Sequence, residues 1–324
     1  MQVAYIQSTS KGVDYHRLTK PLSLSVHEVT AYNTIPLDKV DEVEVDVLVF
    51  NRAMIEPEQL EILQRFRAKG TKIIVDVDDY WVLPQHHLAY SFYKDGFAAK
   101  VVEALIFADE VWTTHGKLAA KCEKYNTRVK VYPNAIDPNE PQWTPYKTKS
   151  DQLRIGFVGG VTHERDLALT ADAFRIAHDT MNIEAVLCGY NNEAKDIFNI
   201  YNYFMSGRYD LGTDTRVIGE LDQHNYGAFY DEFDVAIAPL EENEFNIHKS
   251  NLKIIEAGMK ATPIIVSHTH PYVDDHPAIF KTNNWRKAFQ KVNRLGKDRL
   301  QELGLSLRDY VLDNYDLNNH LRKL

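Results

Sequence analysis

Phe233-Asp234-Val235-Ala236-Ile237-Ala238-Pro239-Leu240 leads, through a polar loop, into Lys249-Ser250-Asn251-Leu252-Lys253-Ile254-Ile255-Glu256-Ala257-Gly258-Met259-Lys260-Ala261-Thr262-Pro263-Ile264-Ile265-Val266-Ser267. The apolar runs 235–238 and 263–266 read as buried parallel strands. Between them a short helix is expected, with Ser250 as N-cap and Leu252, Ile255 and Met259 as its apolar stripe. Strand, polar loop and helix N-terminus together make an anion site, because free backbone N–H groups and the positive end of the helix dipole face the loop. Lys249 and Lys253 add positive charge. Glu256 follows Lys253 by three residues, on the same helix face. An anion at the tip and a carboxylate about 5 Å further along suit a ribose diphosphate.

Outward from this stretch, the second half repeats the pattern. Residues 153–158 form a strand, Gly159-Gly160-Val161-Thr162-His163 a tight loop, and 166–178 a helix. Glycines there let backbone approach a phosphate closely. A strand at 184–188 ends in Gly189. Residues 191–209 read as an aromatic-rich helix (Phe198, Tyr201, Tyr203, Phe204, Tyr209) suited to packing or to a partner surface. A strand at 215–218 runs into Gly219-Glu220-Leu221, and 226–233 reads as a helix. His268-Thr269-His270-Pro271 is a loop, and helices are expected at 285–295 and 298–315.

The first half alternates in the same way. Strand 3–6 meets a polar loop at 7–13, and a helix opens at Asp14-Tyr15-His16-Arg17-Leu18. A loop after the first strand of an open α/β sheet lines the ligand crevice. Strand 45–50 gives way to Asn51-Arg52 and a helix at 57–69. Strand 72–75 enters Asp76-Val77-Asp78-Asp79-Tyr80-Trp81. Carboxylates at a strand's C-terminal end lie where ligands bind, so Asp78 and Asp79 are candidates for acceptor or sugar contacts. Their alternatives are turn formation and a metal-binding Asp-x-Asp. His86-His87 reads as loop, since a His pair without a second ligand cluster is weak metal evidence. A helix at 92–108, a strand at 110–113 and a strand at 129–132 complete the half. Pro133-Asn134-Ala135-Ile136-Asp137 follows, and 139–149, rich in Pro, Lys, Thr and Glu, reads as a linker.

In these residues the chain resembles the retaining glycosyltransferases of family four. The resemblance rests on Glu256-Ala257-Gly258-Met259 with Thr262-Pro263-Ile264-Ile265-Val266-Ser267, and on Pro133-Asn134-Ala135-Ile136-Asp137. It implies the GT-B fold: α/β, two doubly wound Rossmann-like domains with parallel sheets, facing across a cleft. Residues 1–140 would be the acceptor domain, 141–152 the linker and 153–316 the donor domain, with a tail at about 317–324 returning to the first. It implies that Glu256 binds the donor's ribose and that backbone at Asn251 and Leu252 holds the diphosphate. It further implies donor contacts at Gly159, Gly160, Thr162, Arg165 and Lys249, and base contacts at Gly219, Glu220 and Leu221. Lys253 would stabilise the leaving diphosphate. No metal and no cofactor are implied beyond the nucleotide sugar, UDP- or GDP-linked. The acceptor is left open among glycan, lipid-linked sugar, protein and small molecule. Two departures stand out: His248 occupies the place of the family's first Glu, and Gly160 that of an Arg.

Composition bounds the reading. A chain of 324 residues suffices for two domains, and 44% hydrophobic with 26% charged residues is ordinary for a globular protein. A formal net charge of −9 argues against nucleic acid as main partner. Two cysteines, one in each half, argue against a disulfide framework. The start, Met1-Gln2-Val3-Ala4-Tyr5-Ile6, lacks a signal peptide's basic region, and no run reaches the roughly 18 apolar residues of a membrane span. A cytoplasmic protein, at most peripheral to a membrane, is expected. Alternatives to transfer are a sugar-nucleotide epimerase of the same fold and a non-catalytic nucleotide-binding partner subunit.

Overall fold

The computed structural model describes residues 1–7, 11–206 and 215–321. Tyr209 and part of the 7–13 loop lie outside them. The chain divides into two compact units: Met1–Asp137 with His248–Ser250 and Leu317–Leu324, and Pro138–Ile247 with Asn251–Asp316.

The first unit holds β1 (Gln2–Ile6), β2 (Glu28–Tyr32), β3 (Val47–Asn51), β4 (Lys72–Val77), β5 (Glu110–Thr113) and β6 (Val129–Val131). They form one parallel sheet in the order β2-β1-β3-β4-β5-β6. The second holds β7 (Leu153–Val158), β8 (Ile183–Tyr190), β9 (Thr215–Gly219), β10 (Val235–Ala238), β11 (Ile264–Ser267) and β12 (Ile279–Thr282). Their order is β12-β11-β10-β7-β8-β9, again parallel throughout. Both units are therefore doubly wound α/β sheets, as the sequence implies. The strand order reverses between β1 and β3 in one and between β7 and β10 in the other, and crevices for ligands open at such switch points.

The apolar runs are the buried middle strands. Every residue of β3, β7, β10 and β11 is buried. Two strands have no counterpart in the sequence reading. β2 and β12 are sheet edges; β2 is mostly exposed, so nothing demands an apolar run there. β4 extends to Val77, which carries Asp76 into the core, where it is fully buried.

Helices also differ in detail. The expected helix at 166–178 is two, Glu164–Ala168 and Ala171–Thr180, and Thr170 Oγ1 donates to Leu167 O at 2.7 Å at the break. Residues Tyr226–Glu232 are 3-10 helix. The N-cap before Leu252–Met259 is Asn251, not Ser250; the Ser250 hydroxyl instead accepts from Asn134 Nδ2 at 2.7 Å. The run Trp285–Tyr315, by contrast, is two helices meeting at Gly296, where φ is 73° and the backbone is non-helical, in keeping with the expected helices at 285–295 and 298–315.

Candidate functional site

In the second unit Gly159, Gly160, Thr162 and Arg165 follow the carboxyl end of β7 and residues 251–256 follow that of β10, while Gly219, Glu220 and Leu221 lie at the end of β9. Gly159 follows β7 directly. Gly189, at φ +94°, stands so close that a Cβ there would lie 3.0 Å from Gly159 O. Gly160 borders open space, and its carbonyl accepts from the Tyr201 hydroxyl at 3.2 Å. Asp166 ties this loop to the one after β10. Its Oδ2 pairs with His163 Nδ1 at 2.8 Å, and its Oδ1 accepts from Glu241 N at 2.7 Å and Asn246 Nδ2 at 3.1 Å. Arg165 pairs with Glu241 at 2.7 Å, and Thr162 is exposed. Nothing in the sequence pattern marks Asp166 as the brace, because its partners lie 75 and 80 positions away.

Helix Leu252–Met259 begins in this loop region. Among the described residues, the backbone N–H groups of Leu252 and Lys253 have no hydrogen-bond acceptor, as expected of a first helical turn. Lys253 Nζ donates to Glu256 Oε2 at 3.0 Å and to the Tyr226 hydroxyl at 2.5 Å. Tyr230 Oη donates to the same Glu256 Oε2 at 2.8 Å. Glu256 is thus buried and engaged. Burial disfavours charge on Lys253, but Glu256 and Tyr226 overcome it and hold the ammonium above the usual lysine range. Burial and the Glu256 charge push Tyr226 up to about 12. Asn251 spends its amide on Asp274 Oδ2 and the Tyr315 hydroxyl, each at 2.8 Å. Glu220 accepts from Asn191 at 2.8 Å after Gly219, and Leu221 is exposed.

Lys249 belongs to the first unit. Its Nζ lies 3.9 Å from Asp79 Oδ2. His248 stands beside it, buried, with its ring 4.9 Å from that of Tyr80. His115 Nδ1 accepts from Leu118 N, so its proton sits on Nε2, which donates to His248 O at 3.0 Å.

Asp78 and Asp79 surround an arginine that the sequence reading passed over. Arg52 donates Nε to Asp78 Oδ1 and Nη2 to Asp78 Oδ2, both at 2.7 Å, and Nη2 to Asp79 at 3.2 Å. Asn51 Nδ2 adds a bond to Asp78 at 2.9 Å. Burial alone would raise the Asp78 pKa; the charge and hydrogen bonds of Arg52 bring it to about 2. Arg52 has φ 58°, left-handed backbone for a residue with a side chain, and such strain concentrates at functional positions. Beneath it, Arg17 forks onto Asp76 at 2.6 and 3.0 Å and reaches Tyr132 O and Asn134. Tyr15 and Arg17 are therefore core-facing. Asp76 and Asp78 serve as counter-ions of arginines, and no metal-ligating cluster occurs among the described residues.

No family model matches this chain, nor does any curated protein. Solved structures do. Sucrose-phosphate synthase from Thermosynechococcus elongatus is 12% identical, with a TM-score of 0.73 over 99% of this chain and 96% of that one. HepE of Anabaena, solved with UDP and glucose, is 12% identical, with a TM-score of 0.69 over 98% and 96%. A glycosyltransferase from Rickettsia africae ESF-5 is 13% identical, with a TM-score of 0.65 over 99% and 96%. At such identities the likeness shows the fold: the two Rossmann-like units of the GT-B glycosyltransferases.

Proposed function

We propose that the chain is a glycosyltransferase that moves a sugar from a nucleotide sugar to an acceptor with retention of configuration and without a metal, in the manner of family four. The observation that carries this reading is the start of helix Leu252–Met259. Two unsatisfied backbone N–H groups lie there with a lysine locked in its charged form by Glu256 and Tyr226. A preorganised cation and helix dipole stabilise a leaving diphosphate at no reorganisation cost. In this reading the diphosphate sits on the N–H groups of Leu252 and Lys253 and the close-packed backbone at Gly159. The ribose lies toward Glu256, and the base meets the backbone at 219–221. The bond from sugar C1 to the diphosphate oxygen breaks as C1 bonds to the acceptor oxygen on the same face. The leaving phosphate takes the acceptor proton. The first unit, with Asp78, Asp79 and Arg52, holds the acceptor. The enzyme works in the cytoplasm, which suits the buried free thiols of Cys122 and Cys188.

The test is a thermal-shift and calorimetric screen of UDP- and GDP-sugars in the presence of chelator. A donor is expected to stabilise the protein, by about 2.7 kcal/mol at a hundredfold excess over its Kd. Glu256→Ala is expected to weaken donor binding about tenfold or more. Unaltered affinity in that variant would remove Glu256 from the donor site.

A further inference from the structure

The switch point of the first sheet opens into a cavity of about 460 Å³, lined by the end of β1, the Asn51–Glu56 turn after β3 and the aromatics Phe92, Tyr93 and Phe97. This volume is typical of a small-molecule site. Its walls are mainly apolar. Phe92, 60% exposed, stacks on Phe97 with ring centroids 4.8 Å apart, and Tyr93 meets Phe97 edge-on at 4.9 Å.

The polar groups on these walls are incompletely used. Asn51 is 5% exposed, and its Nδ2 is committed to Asp76 and Asp78. That fixes the amide rotation and turns Oδ1 the other way. Oδ1 has no partner among the described residues and is not sealed from solvent. The Tyr93 hydroxyl accepts from Arg52 Nη1 at 2.8 Å, while its own proton has no acceptor among those residues. Glu56, 8% exposed, accepts the Thr34 hydroxyl on Oε1, and its buried Oε2 has no partner among them either.

An idle amide oxygen asks for a donor and an idle phenol proton for an acceptor, and hydroxyls supply both. A carboxylate cannot donate to Asn51 Oδ1, and an ammonium cannot accept from Tyr93. The charge of Arg52 is already taken by Asp78, so an anion gains little there. We propose that this pocket binds the acceptor, and that the acceptor is a neutral polyhydroxylated compound with an apolar flank, a glycoside carrying an aryl or alkyl group. Its hydroxyls meet Asn51 and Tyr93, and its apolar flank lies on Phe92 and Phe97. The word acceptor rests on the transferase reading; the pocket's chemistry does not.

Calorimetry and saturation-transfer NMR on the full chain, with no nucleotide present, test this directly. The probes are phenyl β-D-glucopyranoside, methyl β-D-glucopyranoside, benzoate and benzylammonium. The phenyl glucoside is expected to bind about tenfold more tightly than the methyl glucoside, and the two ions more weakly than either. Phe92→Ala should bring the phenyl compound down to the methyl one, and Tyr93→Phe should weaken both about tenfold in a protein whose circular-dichroism spectrum shows the fold retained. No glycoside binding, binding indifferent to both substitutions, or tighter binding of either ion overturns the proposal. Glycoside binding without any nucleotide-sugar binding would sink the transferase reading alone.

Discussion

Lys147 keeps its amine half-buried, among protein groups that replace most of its water. Its Nζ donates to Tyr230 O and Thr262 Oγ1, and a neutral amine has two protons for those two acceptors. Burial, only partly opposed by Asp231 and Asp234, lowers its pKa from 10.5 to about 7. The folded value lies below the unfolded one, so between the two the unfolded chain binds the extra proton. Stability from this group is therefore reduced below about pH 7 and recovers as pH rises toward 10.5. Compared with Lys147→Met, the wild-type protein should gain about 2 kcal/mol between about pH 7 and about pH 9 in urea denaturation. Parallel pH profiles would show that the amine stays charged. Residue-scale features of this kind were the least legible in the sequence. Asp78 was readable as a carboxylate at a strand end, but Arg52, which neutralises it, stands 26 positions earlier. Local spacing carries no trace of such a pair. Glu256 was readable beside Lys253 because helical geometry places residues three apart side by side.

Elements were legible in proportion to their burial. β7 and β10 are apolar runs because both faces are covered, and their bounds match the sequence reading. β2 and β12 close their sheets at the edges, where pairing needs no such composition, and they left no signal. The small residues of helix Leu252–Met259 have a packing cause that the sequence alone does not show. A Cβ on Gly258 would lie 2.4 Å from Val311 Cγ2 and 3.2 Å from Leu307 Cγ, both on the long Trp285–Tyr315 run. Gly258→Val should therefore destabilise the protein by about 1–3 kcal/mol in equilibrium denaturation. Adding Val311→Ala should recover part of that loss, since contacting sites are coupled. Additive losses would mean that the two side chains do not meet. The helix that presents the candidate anion site is thus set against the last long helix at its far end.

At the scale of the whole molecule, two sheets of six strands account for the fold, and the alternation of strand and helix made that legible from end to end. The first unit is assembled from three separate stretches: a returning tail at about 317–324 is what the family resemblance implies, whereas no pattern in the sequence marks 248–250 as part of it. Asn134 reaches Ser250, and Leu317 N donates to Ile136 O at 2.9 Å. A fragment of residues 1–137 should accordingly melt about 5 °C or more below the same unit in the intact chain, by calorimetry or by protease protection. Equal melting would show the returning stretches to be ornamental. The same feature bears on how the protein is made. Chains leave the ribosome from the N-terminus at about 5–20 residues per second, and domains generally fold as they emerge. Here all six strands of the first sheet are out once residue 131 has appeared, yet the unit stays unfinished until residues 248–250 and then 317 arrive. At that pace its nascent form waits roughly 10–40 seconds for its last pieces, and in that interval it is the state a chaperone would meet.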